Sequence, residues 1–221
     1  VAGGIGNVEH NSILVRYSND FSIWDLESVN HYKDQTDIFF TCHEFSYNKI
    51  AEAYEPYLGL IRQMFHKYCS GTLEEFMEEC DVYKLQRPVF ESYFEKGFCE
   101  RTEQILIDEV EYEQERMRNS IVTMLQKLSE IRPVVIVLNR FQLASKSTMQ
   151  LSNSLLQVKN KNIGIVLGVN DVQSIPEFAH EEWDAICESM DDRNMVYHIG
   201  NAGRNMEPDV MDYYSDYESD G

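Results

Sequence analysis

Two apolar runs in this chain end in side chains able to meet a nucleotide. Val134-Val135-Ile136-Val137-Leu138 leads into Asn139-Arg140, and Ile163-Gly164-Ile165-Val166-Leu167-Gly168-Val169 leads into Asn170-Asp171. An amide at a strand tip can hydrogen-bond a ribose or phosphate oxygen, and a guanidinium can meet a phosphate directly. Near the N-terminus, Gly3-Gly4-Ile5-Gly6 with Asn7 is a glycine cluster of the kind that lets backbone N–H groups approach phosphate. Gly3, Gly4, Gly6, Asn7, Asn139, Arg140 and Asn170 are therefore the candidate nucleotide-binding residues.

Hydrolysis asks for more. It needs an acid to hold Mg2+, a second acid to orient the attacking water, and a Lys-Ser/Thr pair directly after the glycine loop. Asn7-Val8 follows the glycines, and Lys146-Ser147 follows the Val134–Leu138 run instead. Without those charges, phosphoryl transfer lacks its electrostatic stabilisation. A purely structural use of the same residues pairs Arg140 with one of the chain's many acids and leaves the glycines as a flexible N-terminus.

Other chemistries find less support. There is no GxSxG elbow, and no GxGxxG follows a strand, since Gly164 and Gly168 lie inside one. His43-Glu44 opens like a metalloprotease motif, but no second His follows at helical spacing, so no metal site is expected. The five cysteines have no close pairing and read as buried thiols of a reducing compartment, which implies a cytoplasmic location.

Positioning the two strand tips requires an α/β frame. Residues 37–42 read as a buried strand. Pro56 opens a helix whose apolar face is Tyr57, Ile61, Met64 or Phe65, and Tyr68, ended by Gly71. Thr72 and Glu75 form a capping-box pattern for a second helix, and a third runs from about Pro88 to Lys96. Leu106, Val110, Met117, Ile121, Met124 and Leu128 mark a long amphipathic helix over 100–129, acidic in its first half. After Pro133 the texture becomes strand, helix (146–158), strand (162–170), helix (177–190), strand (195–199). That alternation predicts a parallel sheet covered on both faces, with right-handed crossovers. The organisation expected is an irregular segment 1–36, an α/β domain 37–200 with its helical part at 56–129, and an acidic tail or linker 201–221.

The balance of 19 Lys and Arg against 38 Asp and Glu gives a net charge of -19, which argues against nucleic acid or anionic lipid as a direct partner. No run approaches the length of a membrane span. The N-terminus has no signal-peptide character and no Met, so the chain reads as part of something longer.

The stretch from Arg132 to Leu151 resembles the Walker B segment of the STAND branch of AAA-type P-loop ATPases. That segment is an apolar strand followed by Asp-Asp-Leu-His-Trp-Ala-Asp, two loose positions, and Ser-Leu opening a helix. Asp37-Ile38-Phe39-Phe40-Thr41-Cys42-His43-Glu44, followed by the helix from Pro56-Tyr57, is similar to the family's second strand and next helix. The likeness spans roughly 37–200. It implies a P-loop NTPase-like fold, ATP or ADP as ligand, and a place in a larger signalling or transcription-regulating protein, with other domains or a protein as partner. The family's magnesium-holding Asp falls on Asn139, the adjacent acid on Arg140, and the later Asp on Ser145. These departures count against Mg2+ and imply a pseudo-ATPase. The alternatives are a working ATPase switch lacking part of its phosphate loop, and a non-nucleotide interaction module using the acidic helix.

Overall fold

The computed structural model describes residues 12–17, 23, 35–47, 53–96, 110–158, 160–170, 175–191 and 195–199. Five parallel strands make one sheet: β1 (Ser12–Tyr17), β2 (Phe39–Glu44), β3 (Val134–Asn139), β4 (Ile163–Asn170) and β5 (Val196–Ile199). Their spatial order is β2-β3-β4-β1-β5. The helices are α1 (Tyr57–Tyr68), α2 (Leu73–Glu79), α3 (Arg87–Lys96), α4 (Val110–Ile131), α5 (Lys146–Gln157) and α6 (His180–Asp191). The fold class is therefore α/β with a parallel sheet, and α1–α4 form a long helical insertion between β2 and β3.

Local chemistry accounts for the boundaries. Thr72 accepts a hydrogen bond from the Glu75 N–H while Glu75 accepts one from the Thr72 N–H, so both ends of the capping box at α2 are made. Ser145 accepts from the Thr148 N–H and caps α5. In the acidic first half of the long helix, residues 100–109 lie outside the described residues; the described helix starts at Val110. Residues 201–221 also lie outside them.

One expectation changes. The N-terminal segment expected to be irregular holds β1, an inner strand paired with β4 and β5. Ile13-Leu14-Val15 is too short a run to declare itself a strand. Its position comes from neighbours supplied by the far end of the chain, Ser12 pairing with Ile165 and Leu14 with Val196.

Strand alternation divides the core. Leu14, Val134, Ile136, Leu138, Ile165 and Leu167 face one side, where all six helices contribute to a single apolar cluster. Val15, Tyr17, Val137 and Val166 face the other side, with Ile23 packed among them. The order explains the division. Moving from β2 to β3, β4 and β5 crosses the sheet in one sense, whereas β1 to β2 crosses it in the other. Right-handed connections then put the described helices on one face and Ile23, which follows β1, on the opposite one.

Candidate functional site

In an open parallel sheet, ligands bind beyond the carboxyl ends of the strands, where successive connections leave for opposite faces. Here that point lies between β1 and β4, with β3 on the far side of β4. Tyr17 ends β1, Asn139 ends β3 and Asn170 ends β4.

Two of the three tips are tied by a crossing contact. The Tyr17 hydroxyl donates to Asn139 Oδ1 at 2.6 Å, reaching from β1 to β3 over the intervening β4. Gly168 makes this reach feasible. A Cβ there would sit 2.6 Å from Ile23 Cδ1, 3.0 Å from Asn139 Oδ1 and 3.5 Å from Tyr17 Cε1. The glycine is needed for space, not for an unusual backbone angle. Asn139 Oδ1 also accepts the backbone N–H of Arg140 at 3.0 Å, so two donors already meet that oxygen. Burial pushes the Tyr17 phenol above its ordinary pKa, against a weaker opposing pull from Arg140. It remains a neutral donor at physiological pH.

Arg140 sits in the left-handed region at φ 53 and opens a short 3-10 turn, Phe141–Leu143. Its Nε lies 3.3 Å from Glu44 Oε1, at the tip of neighbouring β2, and both side chains are exposed. Glu44 is the register partner of Asn139. From the same turn, buried Gln142 Oε1 accepts the Asn170 N–H at 3.4 Å. The sheet edge is thus stitched by its own side chains: Glu44 to Arg140, Arg140 to Asn139, Asn139 to Tyr17, and Gln142 to Asn170.

Of the sequence-derived candidates, the structure brings Asn139, Arg140 and Asn170 to one edge of the sheet. Gly3, Gly4, Gly6 and Asn7 lie outside the described residues, and in chain order they precede β1. Sequence reasoning missed Tyr17, Ile23, Gln142, Glu44 and Gly168. One signal was present, because a glycine inside an apolar strand marks a close approach.

The residues at this edge do not suit Mg2+. Asn139 Oδ1 is a neutral amide oxygen already engaged twice, the next residue is the cation Arg140, and the carboxylate of Glu44 is paired to that cation. Among the described residues no group of three or more His, Cys, Asp or Glu is arranged to hold a metal. No described helix is long and apolar enough to cross a membrane. Comparison with known proteins finds no match: no family model, no curated protein and no solved structure is similar to this chain.

Proposed function

We propose that this chain is a degenerate STAND-type, AAA-like ATPase domain that works as a scaffold or switch module within a larger cytoplasmic signalling or transcription-regulating protein, and that it does not turn over ATP. One observation carries the reading. At the strand tip that resembles Walker B, the amide oxygen of Asn139 accepts from both the Tyr17 hydroxyl and the Arg140 N–H, while Arg140 pairs with Glu44. A catalytic tip must leave charged oxygens free for metal and water. This one spends its polar atoms on cross-linking β1, β2 and β3. A parallel sheet with β1 between β4 and β5 is compatible with a P-loop NTPase ancestry.

Calorimetric titration of the chain with ATP and with ADP, each with and without Mg2+, tests the proposal. The expected result is no Mg2+-dependent heat and no phosphate release. Micromolar binding that requires Mg2+, or measurable turnover, overturns it. Binding of equal strength with and without the metal identifies a module that holds nucleotide as a structural ligand and still supports the loss of catalysis.

A further inference from the structure

A groove of about 510 Å³ lies between the start of β2 and the outer side of α1, lined by Phe39, Gly59, Arg62, Gln63, His66 and Lys67. Phe39 comes from β2 and the other five from α1, at spacings of three and four residues that place them on one helical face. The chain carries a net charge of -19, yet the described residues lining this groove include three basic side chains and no acid. None of the three is within ion-pair distance of a carboxylate among the described residues.

Each basic group is anchored by something other than an acid. Arg62 donates its Nε to the Phe94 carbonyl at 2.8 Å. The His66 ring packs near the Phe65 and Phe94 rings. Lys67 Nζ stands 5.6 Å from the Phe39 ring centre and 5.3 Å from that of Tyr68, and Arg132 Cζ lies 5.6 Å from the same Tyr68 ring. The dipole of α1 favours bases in its last turn, which accounts for His66 and Lys67. It gives no reason for Arg62, one turn earlier, to share their face. Among the described residues, a Cβ at Gly59 would meet only the Tyr93 hydroxyl, at an ordinary 3.6 Å. Packing therefore does not demand glycine here, and the missing side chain leaves that end of the groove open.

We propose that this groove binds a phosphomonoester, with the phosphate against Arg62, His66 and Lys67 and its organic part in the open end beside Gly59. Three basic side chains match three phosphate oxygens, whereas a carboxylate offers only two. The volume suits a small esterified group rather than a bare ion. The site is independent of the strand tips, because the groove borders the first residue of β2 while Glu44 and Asn139 stand at the opposite strand ends.

The test is NMR titration of the whole chain with inorganic phosphate, phenyl phosphate, benzoate, and a phosphoserine peptide beside its unphosphorylated form. Expected are amide shifts confined to α1 and the start of β2, with phenyl phosphate binding at least about tenfold tighter than benzoate. Lys67→Glu combined with His66→Gln should weaken phenyl phosphate at least about tenfold while far-UV circular dichroism stays unchanged. Lys67→Arg should retain binding, which separates lost charge from lost folding. Tighter binding of the phosphopeptide than of phenyl phosphate assigns the phosphate to a modified protein, and the reverse assigns it to a small ester. Absence of shifts in residues 59–67 with either phosphate, benzoate binding as well as phenyl phosphate, or affinity indifferent to Lys67→Glu overturns the proposal.

Discussion

On β3, Ile136 and Leu138 turn into the helix layer while Asn139 turns to the opposite face, and β4 divides in the same way between Leu167 and Gly168. Adjacent residues of the same strands thus serve two different kinds of cohesion. The helix side is a broad apolar cluster with contributions from α1 to α6, held by area removed from water. The opposite side, near the strand tips, depends on a few oriented contacts around Tyr17, Asn139 and Gly168. Area is forgiving of shape as long as volume is kept. Oriented contacts tolerate neither an extra methyl nor a missing hydroxyl. The comparison teaches that polar side chains at the strand tips, like apolar ones in the core, hold the sheet together.

The largest effect belongs to the helix side. Leu138 is fully buried there, so Leu138→Ala should lower stability by about 2–5 kcal/mol, read from urea unfolding with an unchanged m-value. A loss below about 1 kcal/mol would mean that this face is not the continuous core described. Next comes Gly168→Ala. The added Cβ can push the flexible end of Ile23 aside, but the Asn139 oxygen is held by two donors, so a cost of about 1–3 kcal/mol is expected. An unchanged melting temperature would show that the strand tips have slack.

Tyr17→Phe keeps the ring and removes the hydroxyl. It should cost about 1 kcal/mol, and a cycle with Asn139→Ala should give a coupling energy of at least about 0.5 kcal/mol. Strict additivity would remove the crossing contact from the account.

The smallest effect concerns Glu182 on α6, a buried carboxylate facing Lys146 at 3.0 Å and Gln150 at 2.9 Å, both from α5. Burial alone would raise its pKa, and the hydrogen bonds from Lys146 and Gln150 together with the ammonium charge outweigh it, so the carboxyl is held below the usual range. A lowered folded-state pKa stabilises above the unfolded value of about 4.3, and that stabilisation disappears as pH falls through the lowered value. Glu182→Gln should therefore flatten the acid side of the stability profile and change little once pH has fallen below the lowered pKa. A profile parallel to that of the parent chain would show that the pair contributes nothing.

Most of the frame was legible because its signals are local. The runs Val134–Leu138 and Ile163–Val169, the apolar stripe of α1 and the Thr72–Glu75 cap each announce their element within one window. β1 was not legible, since six residues hold no period long enough to read and their place depends on β4 and β5. Within the site, Asn139, Arg140 and Asn170 were visible as strand tips. Tyr17 was not, because the link to Asn139 depends on a strand order that no local pattern encodes. The groove along α1 was hidden for a similar reason. Its basic residues are unremarkable among helix residues until Phe39, arriving from another element, supplies the apolar wall.

The placement of β1 has a consequence for how the molecule comes into being. Ser12 finds Ile165 and Leu14 finds Val196, so both neighbours of this segment are made long after it. Until they emerge from the ribosome, that segment has unmet backbone groups on both edges, and closing so long a loop precedes any reward from pairing. The helices between β2 and β3 rely on nearer contacts and can condense first. Acquisition of the central ladder is then the slow, concluding event, and the contact between Tyr17 and Asn139 is among the last bonds to form.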